Sequence, residues 1–266
     1  MGGPLLDGGA PRPDTGLVTA YLPQLVMTAG LGALALVAVA AAVHQLVRYH
    51  RAVPLFLLLG AAVGSVDEAP LDLFVSAYYP GRGQWTLYES FGRPIPVWVT
   101  FAHILLFGAA PYVLARLMRT VSARRVGWLG CLGLAVSDVL IELPNRSILT
   151  YYGDHPFRVF GFPLAMAAVN AATMTAIAVT VLVVEPRLTG RRQALAAVLP
   201  VAALPAGTFA TGFPVFGAVA AGAPAGIIVA GGLASIALAM LAVHGLLTLA
   251  GSGRGAHARE PVAHVS

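Results

Sequence analysis

Seven mostly apolar stretches run through this chain and leave little sequence between them. They are Leu17–Val47, Pro54–Tyr78, Ile95–Met118, Val126–Leu149, Phe160–Val184, Ala194–Phe216 and Ala225–Ala250. About 20 apolar residues in a helix cross the hydrocarbon core of a bilayer. Lipid offers backbone N–H and C=O groups no partner, so a spanning segment must satisfy them internally, as a helix does. The pattern predicts an all-α fold, a polytopic integral membrane bundle of about seven transmembrane helices in the cell membrane. Composition agrees: 10% of the 266 residues are charged, where a soluble domain carries roughly 25%.

The links between the stretches alternate in charge. Arg48 and Arg51, then Arg116, Arg119, Arg124 and Arg125, then Arg187, Arg191 and Arg192, then Arg254 and Arg259 fall on one side. Arg12, Arg82, Arg93, Arg146 and Arg158 fall on the other, five against eleven. Cytoplasmic loops are the arginine-rich ones, which places the N-terminus outside and the C-terminus in the cytoplasm. Topology therefore accounts for the net charge of +5, and no nucleic-acid partner is implied. The basic residues are all arginines, so no lysine is present to form a retinal Schiff base. The single cysteine, Cys131, excludes an intrachain disulfide or a thiol-pair site. Residues 1–16 form a polar N-terminal tail without the apolar core of a signal peptide, residues 17–250 the seven-helix membrane domain, and residues 251–266 a Gly-, Ala- and Arg-rich tail expected to be disordered. No internal repeat of the kind found in inverted-repeat transporters is evident.

Charge at membrane depth is costly and marks function more often than structure. The second stretch carries Asp67, Glu68 and Asp72 around Pro70. Glu68 and Asp72, four apart, share a helix face, and Pro70 removes a backbone hydrogen bond beside them. The fourth stretch carries Asp138 and Glu142, again four apart. The plainer reading is that these acids pair with outer-loop arginines or cap helix breaks; two matched pairs on separate helices favour a shared polar chamber. His103 and Asn170 lie in the third and fifth stretches. Each could be a packing residue or an interhelical hydrogen bond, or could bind substrate. Arg93, Trp98 and Tyr151 join them as substrate-binding candidates toward the external end. Trp98, Tyr78, Tyr79, Tyr151 and Tyr152 could stabilise positive charge through their ring faces, although the interfacial aromatic belt is the plainer expectation for most of the tyrosines.

A carboxyl group in an apolar cavity resists ionisation and can serve as a general acid. A second one, kept ionised by neighbours, can take the proton back. Asp67, Glu68, Asp72, Asp138 and Glu142 are thus the catalytic candidates for acid/base cyclisation or dehydration of a lipophilic substrate. That chemistry needs neither a metal nor a cofactor, and the expected partners are the substrate and membrane lipid.

The run Asp67-Glu68-Ala69-Pro70-Leu71-Asp72, Tyr79-Pro80 with Gly83-Gln84-Trp85, Phe91-Gly92-Arg93-Pro94-Ile95-Pro96, and Tyr151-Tyr152-Gly153 through Gly161-Phe162-Pro163 to Asn170 resemble AveC-like spirocyclases. These are small bacterial membrane proteins associated with spiroketal formation and dehydration in polyketide pathways. The resemblance spans about residues 54–175. In size and acid pattern the chain is also similar to small membrane-bound terpenoid cyclases. Both likenesses imply a cyclase of terpenoid or polyketide metabolism. The alternative is a proton-coupled small-molecule transporter, since intramembrane carboxylates also relay protons.

Overall fold

The structure is a computed structural model that describes residues 12–142 and 147–257, the side chains of Glu142 and of residues 252–257 excepted. It is a helical bundle. Six of its helical segments are long and apolar enough to cross a membrane: Tyr21–Tyr49, Val53–Val75, Val97–Thr120, Leu164–Arg187, Gly190–Ala220 and Ala225–Gly251. In chain order, α1 is Tyr21–Tyr49, while α2 (Val53–Gly64) and α3 (Glu68–Val75) are joined by a 3-10 turn at Ser65–Asp67. A π-helical segment at Ile104–Ala109 joins α4 (Val97–His103) to α5 (Ala110–Thr120). Next come α6 (Ala123–Glu142), α7 (Leu164–Val184), α8 (Val198–Ala220) and α9 (Ala225–His257). With 20 residues, α6 is long enough as well, but Arg124, Arg125, Asp138 and Glu142 make it the least apolar of the long helices.

Several boundaries differ from expectation. The fourth stretch does not reach Leu149 as helix: α6 ends at Glu142, and Ile148 and Leu149 are buried in the loop beyond. At the C-terminus α9 continues to His257, past the expected boundary at residue 250. Residues 1–11 and 258–266, parts of the two expected tails, lie outside the described residues.

Prolines set the two internal breaks. Pro70 has no N–H to donate to Val66, and the chain tightens into the 3-10 turn directly upstream. Tyr88 Oη donates to the Ser65 carbonyl in that turn at 2.6 Å, satisfying backbone polarity that a membrane helix cannot leave bare. Pro111 likewise withholds a donor from Phe107, inside the π segment. Such π insertions turn the helix face by one residue and often accompany functional side chains; here the segment begins directly after His103.

The bundle is built around α7. Of its most apolar stretch 72% is buried, against 28% for α1, so α7 is the axis and α1 a peripheral helix. The sequence of α7 suits that place, because Ala165, Ala167, Ala168, Ala171 and Ala172 let neighbours approach closely. A similar approach occurs at Gly60 in α2, where an added Cβ would collide with the Ala197 carbonyl oxygen.

One end carries short antiparallel ribbons that the all-α reading did not anticipate. Strand β1 (Ala77–Tyr78) pairs with β4 (Thr150–Tyr151), β2 (Thr86–Ser90) with β3 (Arg93–Pro96), and β5 (Arg158–Val159) with β6 (Phe162–Pro163). Two tight turns are made by Phe-Gly pairs with positive φ at both positions, Phe91 (53°) and Gly92 (66°), then Phe160 (51°) and Gly161 (96°). That is the backbone of type I′ hairpins, matched to strand twist. Each hairpin feeds a helix, α4 or α7, that carries a polar side chain into the interior. The start of α1 is tied to this cap: Thr19 N donates to the Arg82 carbonyl at 2.8 Å, and Gln24 Oε1 accepts from Trp85 N at 2.6 Å. At the opposite end Gln193 Oε1 accepts from Ala52 N at 2.6 Å, and Arg119 pairs with Glu185 at 2.7 Å.

Candidate active site

Beneath the ribbon cap lies a small cavity of about 60 Å³, lined from α3, α4, the π segment, α6, α7 and α8. Its polar lining is Glu68, Asp72, Tyr79, His103, Asp138, Tyr151, Asn170 and Thr208. Acids from the second and fourth stretches, 66 or more residues apart in sequence, thus face one space.

Glu68 opens α3 directly after the proline-induced turn. Its carboxylate is held at both oxygens: Tyr79 Oη donates to Oε1 at 2.6 Å, and His103 Nε2 lies 3.0 Å from Oε2. Hydrogen bonds to a carboxylate are among the stronger ones. Tyr79 is itself fixed edge-on against Trp98, with ring centroids 5.7 Å apart, and both rings are buried. Asp72 sits one turn on, buried, on the same face. The i, i+4 spacing delivers the pair to the cavity as expected.

Across the cavity Asp138 Oδ2 accepts from Asn170 Nδ2 at 3.0 Å, and both residues are buried. Asn170 Oδ1 and Thr208 Oγ1 are buried without a hydrogen-bond partner among the described residues. Two unsatisfied polar atoms on one cavity wall cost free energy unless a guest satisfies them, and a polar guest is what such a wall selects.

Other candidates fall elsewhere. Asp67 lies in the 3-10 turn, half-buried, and is not part of the cavity wall. The side chain of Glu142 lies outside the described residues. Arg93 is buried but does not line the cavity; Nη1 donates to the Ala77 carbonyl at 2.8 Å and Nη2 to Tyr152 Oη at 2.7 Å. Its guanidinium also lies 5.4 Å from the ring centres of Tyr78 and Tyr152. It clamps β3 to β1 and to the segment after β4. Trp98 and Tyr151 do line the cavity.

The tyrosines correct the belt expectation. Tyr78 and Tyr79 are buried rather than spread along a lipid interface, because β1 turns the chain inward after the left-handed Ser76. Burial, and then the charges of Glu68, Asp72 and Asp67, push the Tyr88 hydroxyl's pKa up, so it remains a neutral donor. Sequence reading missed Thr208, whose only signal is a hydroxyl beside Pro205 in an apolar helix. In the outer loop after Tyr151-Tyr152, His155 is buried between Tyr151 and Phe216 at centroid distances of 5.9 and 6.1 Å.

Among the described residues, no three His, Cys, Asp or Glu side chains gather as a metal-ligand set. No family model matches the chain, and neither does any curated protein or solved structure.

Proposed function

We propose that this chain crosses the cell membrane seven times, α6 included, with its N-terminus outside and its C-terminus in the cytoplasm, and acts there as a membrane-embedded enzyme. Its reaction is acid/base cyclisation or dehydration of a lipophilic terpenoid or polyketide substrate. The observation that carries this reading is the pairing across one cavity of two differently held carboxyl groups, Glu68 with Tyr79 and His103, and Asp138 with Asn170.

Two donors steady negative charge on Glu68, while Asp138 receives one. Asp138 is then the acid that gives a proton to an alkene, epoxide or hydroxyl group, and Glu68 with His103 is the base that takes one. In cyclisation the cation is quenched by a nucleophile of the same substrate; in dehydration water leaves and the base removes the neighbouring proton. One proton is given and one taken, so the reaction needs no redox partner, and the next cycle starts once the proton has returned from Glu68 to Asp138. A cavity of about 60 Å³ is far below the roughly 300–1,000 Å³ of ordinary ligand pockets. It receives the reacting group, and the apolar remainder of the substrate displaces Leu106, Met166 or Leu204 or stays in lipid. The segments that resemble AveC-like spirocyclases lie at this cavity or in the cap above it, which supports the same reading.

The test is comparative metabolite profiling of a producing host carrying wild-type protein, Glu68→Gln or Asp138→Asn, with membrane insertion checked by immunoblot. Loss of one lipophilic product and accumulation of its precursor in both variants is expected; unchanged profiles in both overturn the assignment. A proton-coupled small-molecule transporter is the second reading. One observation favours it: the cavity is of a size for a few waters, the medium of a proton path. Acidification of proteoliposomes that depends on substrate and on Glu68 would decide for it.

A further inference from the structure

At the end opposite the cap, α1 stands away from α5 and leaves an apolar groove of about 390 Å³. Small residues make the gap: Ala38, Ala41 and Ala42 of α1 face Ala109 and Val113, with Pro54 and Leu58 of α2 as the floor. At the mouth sit Arg116 and Arg119, and Tyr112 Oη donates to Gln45 Oε1 at 2.9 Å. A second hollow of about 360 Å³, lined by Arg51, Thr189 and Gln193 among others, shares Arg119 with the groove. The two hollows meet at Arg119, and the second carries Arg51 and Glu185 besides.

The charge balance selects the occupant. This end holds Arg48, Arg51, Arg116, Arg119, Arg124, Arg125, Arg187, Arg191 and Arg192 against one carboxylate, Glu185, among the described residues. Glu185 is spent on Arg119, while Arg116, half-buried at the mouth, forms no ion pair among those residues. An apolar tail with an anionic head satisfies both parts at once, since acyl chains fill apolar gaps and phosphates pair with guanidinium groups. We propose that this groove is a binding site for an anionic phospholipid, one acyl chain lying between α1 and α5 and the headgroup phosphate held by Arg116 and its neighbours. The site is independent of the acid cluster and stands whether or not that cluster is catalytic.

Native mass spectrometry of the purified full chain, with dioleoyl phosphatidylglycerol and dioleoyl phosphatidylcholine as competing probes, tests this. Preferential retention of phosphatidylglycerol is expected. One interfacial arginine contributes about fivefold in affinity, so Arg116→Gln should weaken retention by about that factor. Arg125→Gln, outside both hollows, should leave it unchanged. Ala41→Phe fills the groove from an exposed position of α1 and should remove tight retention without lowering Tm. Equal retention of the two lipids, or equal effects of Arg116→Gln and Arg125→Gln, would overturn the proposal. So would displacement of the lipid by millimolar inorganic phosphate, which would reveal a site for the headgroup alone.

Discussion

Acid should weaken the cap through one side chain, His155. Its ring is 6% exposed, and neither nitrogen has a hydrogen-bond partner of ordinary geometry among the described residues. Burial first, and then the positive charge of Arg158, lower its pKa to about 4 from an ordinary 6.5. Well above pH 6.5 the ring is neutral in both folded and unfolded chains and contributes no pH dependence. As pH falls from 6.5 toward 4 the unfolded chain binds a proton that the folded one refuses, so stability declines. Each unit of difference is worth about 1.4 kcal/mol, giving a loss of about 2 kcal/mol at pH 5 and about 3 kcal/mol at pH 4 and below. The assay is Tm in detergent at pH 7 and pH 5 for the wild type and for His155→Phe, which keeps an aromatic ring between Tyr151 and Phe216. Other titrating groups contribute equally to both proteins, so the difference between the two pH slopes isolates His155. The wild type should lose markedly more stability on acidification than the variant. Matching slopes would refute a buried neutral imidazole.

Three further outcomes follow from the geometry. Tyr79→Phe removes a hydrogen bond to a carboxylate, worth about 1.5–3 kcal/mol, and should depress turnover in the metabolite assay while His103 still holds Glu68; full activity would show that Tyr79 does not position the base. Gly60→Ala drives a methyl group against the Ala197 carbonyl and should cost about 1–3 kcal/mol as overpacking, read as a lower Tm; an unchanged Tm would contradict the close approach. Thr86→Cys should react with a membrane-impermeant maleimide on intact cells and Ser122→Cys only after permeabilisation, both positions being exposed and the native Cys131 buried; the reverse pattern would invert the topology.

Much of the site was legible because the relevant rules are local. Apolar length alone makes a helix obligatory in lipid, and an i, i+4 spacing puts Glu68 and Asp72 on one face whatever surrounds them. His103 and Asn170 stood out since polar groups are rare in such stretches. The ribbons were illegible for the opposite reason: β1 and β4 are two residues each, too short to show a period, and they exist only because the loops they join meet over the bundle. Arg93 looked like a ligand-binding residue from its conspicuous setting, yet its partners Ala77 and Tyr152 lie 16 and 59 residues away and turn it into a clamp.

By itself the sequence determined that this chain is a membrane bundle, since the cost of unpaired backbone groups in hydrocarbon leaves a continuous apolar segment little choice. It also showed which acids stand inside otherwise apolar segments. Only the tertiary structure decided which of them meet. Packing around α7 turned Glu68, Asp72 and Asp138 toward one cavity, left Asp67 off its wall, and brought in Tyr79 and Thr208, which no spacing placed beside them. Such choices depend on the azimuth of each helix against its neighbours, which long-range contacts set and no local spacing records.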